Sequence, residues 1–398
     1  MFLPRDADRA IEAAVAGPLP CVTVGLRAAV GRVLGAPVRT DQDQPPFDRV
    51  AMDGIAIRAA DWTAGVRAFR ISHTQGAGAE PRPLTGDAAC IEIMTGAMLP
   101  DGADTVIPVE QLTITQGVAQ VAATATPAAG AHVHRRGSDQ RAGATVLEAG
   151  SRLRAPEVAV LASAGGALVP VHRPPRIAVV STGDELVEPD VAPKPWQVRR
   201  SNAYGIVAAL NQHGYAQVED LHIADDLAAL TAQLAQVLAR VDVLVLSGGV
   251  SAGRYDHVPA ALRAIGVQER FHKVAQRPGR PLWFGSDREG RLVFGLPGNP
   301  VSTLICLVRY VLPALALLEG ERRIAPPGLP LAAPVRLPPG LALYMPVDLV
   351  AGPQGPLAAP HPTHGSGDFT ALAGTAGFVE IDPVQTGALR TVVPFYHW

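Results

Sequence analysis

Cysteine is scarce: Cys21, Cys90 and Cys306 are the three in 398 residues, and they stand far apart. They form neither a CxxC pair nor an even framework, so they read as reduced packing residues of a cytoplasmic protein. No lysine-rich block occurs, and a net charge of -2 with a pI near 6.6 gives no broad surface for nucleic acid. Any anionic ligand must then be met by local charges. Residues 1–9 carry four charges and no long apolar run, so no secretory signal of ordinary form is expected. Charge, glycine or proline interrupts every apolar stretch of membrane-spanning length, which argues against a membrane partner. The sequence also lacks a Ser/His/Asp signature, a Walker lysine motif, His/Cys zinc spacing and any 20- to 50-residue repeat.

What is present is a run of strand-to-turn transitions. The length implies roughly two to four domains. From Arg176 to about Leu315, apolar β-branched runs alternate with helical periodicity, which predicts a doubly wound, mostly parallel α/β sheet. Expected strands are 176–180, 215–223, 241–246, 271–274, 282–284 and 292–294. Expected helices follow Ser201-Asn202, Asp225-Asp226, Asp256 and Val301, with the first two pairs read as caps. The region before Arg173 is β-rich, with a hairpin and loop expected at 116–130, and its flanks at 24–44 and 141–171 are placed to pair, leaving the middle as an insertion. After Arg322 a proline-rich linker leads into a small all-β unit. The fold class expected is therefore multidomain α/β plus β.

Three of these turns suit phosphate. Leu244 to Ser251 ends a strand in Ser247-Gly248-Gly249, followed by Ser251 and Asp256. Val179 to Glu185 ends in Ser181-Thr182-Gly183-Asp184-Glu185, and Val293 to Pro300 ends in Pro297-Gly298-Asn299-Pro300. Backbone N–H groups approach phosphate oxygens closely where no Cβ intrudes, and open α/β sheets bind ligands at strand carboxyl ends. Glu185, Asp225 and Asp256 near those ends suit a hard cation such as Mg²⁺, although helix capping explains any one of them alone. Lys273, Arg277 and Arg280 bring positive charge on a rigid Pro-Gly turn, or form only a surface turn. Upstream, Pro45 to Gly54 holds Asp48 and Asp53, Ile93 to Ala97 holds Thr95, and His134 to Asp139 sets two guanidiniums beside a carboxylate. Each of these reads equally as a capped linker, a turn or a solvated charge cluster.

Taken in order, Pro-Pro-Phe-Asp with Ala-Met-Asp-Gly (45–54), Ile-Met-Thr-Gly (93–96), Arg-Arg-Gly-Ser-Asp (135–139), Ser-Thr-Gly-Asp-Glu-Leu (181–186), Ser-Gly-Gly-Val-Ser (247–251) and Gly-Leu-Pro-Gly-Asn-Pro (295–300) resemble the molybdopterin molybdenumtransferase family, the MoeA proteins related to the enzyme part of gephyrin. The resemblance runs from about Leu26 to Glu319. It implies insertion of molybdenum from molybdate into adenylylated molybdopterin with release of AMP, assisted by Mg²⁺ or another divalent cation. It also implies an elongated homodimer, with transient contact to a molybdopterin adenylyltransferase or a recipient molybdoenzyme. The implied domains are 26–45 with 140–172, 46–139, 1–25 with 173–319, and 320–398. By the same resemblance Asp53, Thr95, Asp139 and Lys273 are catalytic. Ser181, Thr182, Gly183, Ser247, Gly248, Gly249, Ser251, Arg277, Arg280, Pro297, Gly298, Asn299 and Pro300 bind the pterin substrate, and Glu185, Asp225 and Asp256 bind the metal.

The sequence departs from the family in two places. Arginine stands at 277 and 280 where relatives often have lysine, which keeps the charge and changes the geometry. Leu343-Tyr344-Met345-Pro346 occupies the place of an aromatic residue followed shortly by an arginine, and no arginine stands there. Gly365-Ser366-Gly367-Asp368 keeps a turn resembling the family's glycine-serine segment. Two other functions compete: a molybdopterin adenylyltransferase, which the N-terminal motifs disfavour, and a non-catalytic cofactor-binding scaffold.

Overall fold

Three apolar runs, Ile177–Thr182, Val243–Ser247 and Leu292–Leu296, form the buried parallel centre of a six-stranded sheet in a computed structural model that describes residues 1–249, 257–385 and 387–398. Every residue of these strands is buried, as a strand covered on both faces requires. Val218–Ile223 adds a parallel edge beside Ile177–Thr182. Trp283–Ser286 and Gln268–His272 extend the other side antiparallel to their neighbours. Helices Ser201–Gln212 and Pro300–Leu318, with the N-terminal helix Pro4–Ala14, cover one face; Leu227–Leu238 and Val258–Ala264 cover the other. The expected doubly wound unit is present. One strand begins later than expected, at Val218.

The helix starts divide the expected caps. Asp226 does cap, its carboxylate accepting the Ala229 N–H at 2.8 Å. Ser201 and Asn202 do not: Arg200 is the flanking residue and both lie inside the helix, which frees the Asn202 amide for other partners.

In the N-terminal region, strands run in the order Thr105–Pro108, Gly54–Ile57, Ala89–Ile93, Ala68–Gln75, Val118–Val121 and Leu112–Thr115. The hairpin lies earlier than expected, because Gln116 and Gly117 both take positive φ (51° and 76°) and close a two-residue turn between the last two strands. The chain enters and leaves this sheet through paired flanks: Val38–Arg39 with Thr145–Leu147, and Gln44 with Gln140. Segment 1–25, expected with the α/β unit, divides. Pro4–Ala14 buries Ala7 and Ile11 in the large sheet's core, while Cys21–Gly25 pairs with Leu168–His172.

The tail sheet is ordered Gln276–Arg277, Ala342–Gly352, Gly377–Ile381, Val392–His397 and Gly328–Pro330. Its first strand comes from the α/β unit, so backbone pairing of Gln276 and Arg277 with Ala342 and Leu343 fixes the tail against the Arg277 turn. Helix Pro300–Leu318 reinforces this junction. Within its π-helical turn at Leu307–Val311, buried Arg309 donates to Asp8 Oδ1 and Glu380 Oε2, each at 2.7 Å. One guanidinium thus joins the N-terminal helix, the sheet unit and the tail. By length and composition this helix is apolar enough to cross a membrane, but 78% of its apolar window is buried inside the protein and Arg309 and Pro313 interrupt it. Its apolarity belongs to the core.

Candidate functional site

The sheet's register aligns the strand ends: Ser181 is opposite Ser247, which is opposite Leu296. Turns 183–185, 224–226, 248–249 and 297–299 therefore leave one edge. Ser181 and Thr182 are buried there, at 2% and 3% exposure, and neither hydroxyl has a hydrogen-bond partner among the described residues. Successive strand residues face opposite sides of the sheet, so each hydroxyl is orphaned on its own face, which is costly unless a ligand meets it. Asn202 adds a third open acceptor: its Nδ2 donates to Ser247 Oγ (3.1 Å) and Gly298 O (2.7 Å), while its Oδ1 is buried without a partner among the described residues. Gly248 and Gly249 have φ of 97° and 66°, and a Cβ at Gly248 would lie 2.8 Å from Thr182 O. The turn thus lies close over Thr182 because both residues are glycine.

Beside this edge a cavity of about 1190 Å³ opens between the α/β unit and the tail. Arg277, Arg280, Pro297, Gly298 and Asn299 line it from the sheet side, and Arg336, Tyr344, Pro346, His364 and Ser366 from the tail. Asn299 Nδ2 donates to Ser366 Oγ at 2.7 Å and so closes one corner. The 297–299 turn is shared: Asn202 ties it to Ser247 at the sheet edge, and Asn299 ties it to Ser366 of the tail. Lys273, expected with the two arginines, does not line this cavity. It sits just past strand Gln268–His272 with φ of 72°, an unusual left-handed conformation for lysine, held by the Lys273 N–H donating to Leu282 O at 2.9 Å. Pro300 begins the long helix just outside the lining.

The upstream residues form a separate, internally satisfied group. Asp53 Oδ1 accepts both the Thr95 hydroxyl (2.6 Å) and the Thr95 N–H (2.7 Å), which hold its carboxyl below the usual carboxylate range. His134 Nε2 lies 2.8 Å from Asp139 Oδ1, and its Nδ1 lies 3.2 Å from an Arg49 guanidinium nitrogen. The short strand Arg49–Val50 links the two clusters, pairing with Val133–His134 and bonding to Gly96 and Ala97. The two guanidiniums expected to suit an oxyanion are engaged: Arg135 donates to Asp48 (2.6 Å) and Arg136 to Asp43 (2.8 Å). They tie the returning chain to residues 43–48. Within the chain, Asp53, Thr95 and Asp139 make no hydrogen bond or ion pair to the sheet-edge turns among the described residues.

For a cation, Glu185 and Asp225 stand at the edge. Asp226 is engaged as a cap and Asp184 accepts the Asp225 N–H at 3.1 Å. Glu185 folds over the Gly183 turn, since a Cβ at Gly183 would lie 2.5 Å from its Oε2. Among the described residues no group of three or more His, Cys, Asp or Glu converges into a metal cage. One or two carboxylates completed by ligand phosphates is the Mg²⁺ pattern, and the donors here fit it. Asp256 and Ser251 lie outside the described residues.

Residues 4–165 match the MoeA N-terminal region (domain I and II), and residues 178–317 match a probable molybdopterin binding domain. A molybdopterin molybdenumtransferase of Synechocystis sp. is 38% identical over 379 residues, covering 94% of this chain and 95% of the relative. The chain belongs to the molybdopterin molybdenumtransferase family. A second relative of that name, from Haemophilus influenzae, is 33% identical and spans 77% of this chain and 75% of its own length. Among solved structures, a molybdopterin biosynthesis moeA protein from Pyrococcus horikoshii OT3 superposes over all of both chains with a TM-score of 0.82 at 25% identity. The expected family and fold are borne out. Asn202, His364 and Arg336 of this family member were not singled out as ligand residues from sequence. Asn202 resembled a cap, and the other two come from chain segments well beyond the turns with which they share the cavity.

Proposed function

We propose that this enzyme of molybdenum cofactor biosynthesis inserts molybdenum from molybdate into the dithiolene of adenylylated molybdopterin and releases AMP. The observation that carries the reading is the Thr182 hydroxyl, buried beneath the Gly248-Gly249 turn without a partner among the described residues, with the Ser181 hydroxyl likewise unpartnered on the other face of the same strand end. Buried hydroxyls and cramped glycine N–H groups suit a pyrophosphate, whose oxygens accept hydrogen bonds without a countercharge at every contact. Asn202 orients the 297–299 turn toward the same ligand. Arg277 and Arg280 attract molybdate in the adjoining cavity, so pterin phosphate and metal oxyanion are held side by side. Lys273 supplies a further positive charge at the strand end. Glu185 and Asp225, with Asp256, would hold a Mg²⁺ ion that supplies charge neutralisation to the phosphates.

Asp53, Thr95 and Asp139 serve the reacting end of the substrate from a second subunit, in a homodimer whose clefts are shared. Their preset hydrogen bonds support a geometric role in that cleft. The proposed domains are 26–45 with 140–172, joined by strand Cys21–Gly25, then 46–139, the N-terminal helix with 173–319, and 320–398. The reading includes a cytoplasmic location and transient contact with a molybdopterin adenylyltransferase or a recipient molybdoenzyme. The N-terminal family match favours insertion over adenylyl transfer. The test is AMP release from adenylylated molybdopterin with and without molybdate: release that requires molybdate is expected, and none under either condition would overturn the reading.

A further inference from the structure

The large cavity has an unusual charge balance. Arg277, Arg280 and Arg336 all line it, and no aspartate or glutamate does. His364, also in the lining, already has a partner, its Nδ1 lying 3.0 Å from Asp368 Oδ2. None of the three guanidiniums donates a side-chain hydrogen bond or forms an ion pair among the described residues. All three are exposed, whereas Arg173, Arg200 and Arg309, which are more covered, pair with Asp242, with Glu188 and Asp220, and with Asp8 and Glu380. Three cations facing one cavity whose lining holds no acid give it a local positive field that draws an anion.

Arg277 and Arg280 approach from the sheet side, on the turn that pairs with the tail sheet. Arg336 approaches from the tail. Its neighbours hold it there: the Val335 N–H donates to Gly387 O at 2.7 Å, Val335 and Leu337 pack on the tail core, and Pro338-Pro339 stiffens the chain beyond them. The tail wall beside it, built from Tyr344, Met345 and Pro346, carries no cation of its own. Arg336 therefore brings that side's positive charge.

We propose that Arg336 is a further binding residue for the oxyanion substrate, gripping a tetrahedral dianion such as molybdate from the tail while Arg277 and Arg280 grip it from the sheet. This rests on the molybdate reading above and deepens it. A planar guanidinium donates two parallel N–H bonds to two oxygens of such an ion, a geometry that lysine does not reproduce. The cavity exceeds the size of the anion and leaves room for the organic substrate. It also makes the tail unit part of the binding site.

The test is equilibrium titration of the full chain with molybdate and, separately, with sulfate as a dianion of the same shape. Arg336→Gln should weaken both anions about tenfold, Arg336→Lys should fall between, and ligand-free melting should be unchanged in each. Arg288→Gln, on the Asp287–Gly290 turn at the opposite edge of the sheet, should bind as the unaltered chain does. Arg336→Gln within about twofold of the unaltered chain for both anions, alongside a weakened Arg277→Gln, would overturn the proposal and leave the reaction untouched. Absence of molybdate-dependent AMP release together with a weakened sulfate titration in Arg336→Gln would overturn the reaction instead and uphold the anion grip.

Discussion

Two motif-bearing regions of this chain treat their polar groups in opposite ways. Around residues 43–53, 93–97 and 133–139, carboxylates and donors are matched to one another: Asp53 with Thr95, Asp139 with His134, Asp48 with Arg135 and Asp43 with Arg136. At the carboxyl edge of the parallel sheet, Ser181, Thr182 and Asn202 keep buried atoms without partners among the described residues, and three arginines face the neighbouring cavity unmatched by any of those residues. The first arrangement is complete without a ligand. The second leaves groups open to one. Polar groups placed to hold the chain together should therefore lose stability when removed, whereas groups placed for a ligand should lose binding.

The largest effect is expected where a matched group is also buried. Arg309→Ala leaves Asp8 and Glu380 facing each other without their shared cation, and should lower stability by ~3–5 kcal/mol, measured by chemical denaturation. A loss below ~1 kcal/mol would show that the tail is held mainly by its apolar contacts.

A backbone change at the ligand edge should cost less. Gly248→Ala forces a Cβ to within 2.8 Å of Thr182 O at a φ of 97°, so ~1–3 kcal/mol of stability should be lost along with AMP release. Full activity in this variant would mean that the turn is free to reshape without harm to the ligand.

Smaller still is the upstream pair. Because the Thr95 hydroxyl and then the Thr95 N–H hold the Asp53 carboxyl down, that contact contributes stability above the ordinary carboxylate range and loses it as pH falls through the depressed value. Thr95→Val should move the Asp53 midpoint upward in a carboxyl-carbon NMR titration. An unmoved midpoint would assign the depression to the Thr95 N–H alone.

Much of the sheet unit was legible in the sequence because buried parallel strands must be continuous apolar runs and their turns need glycine. The inner strands and the edge they share follow from that pattern. Less legible were contacts between distant segments. Arg336 and Ser366 reach the cavity only because Gln276–Arg277 joins the tail sheet, a two-residue pairing with no periodicity to reveal it. Asn202 was misread for a related reason: asparagine before an apolar run suggests a cap, but here the helix begins one residue earlier and the amide turns to Ser247 and Gly298. The same ambiguity affects Arg135 and Arg136. Sequence shows two guanidiniums near a carboxylate, whereas folding decides that Asp48 and Asp43 claim them.

The comparison turns most directly on Thr182→Val, which keeps the shape of the side chain and removes a buried hydroxyl that has no partner among the described residues. Thermal melting of the ligand-free chain and titration with adenylylated molybdopterin should be measured on the same preparation. The account predicts a variant that melts at or above the temperature of the unaltered chain, because an unsatisfied group is gone, and that binds the pterin about tenfold more weakly. A variant that melts lower and binds with unchanged affinity would contradict it, placing the Thr182 hydroxyl among the groups that hold the fold together.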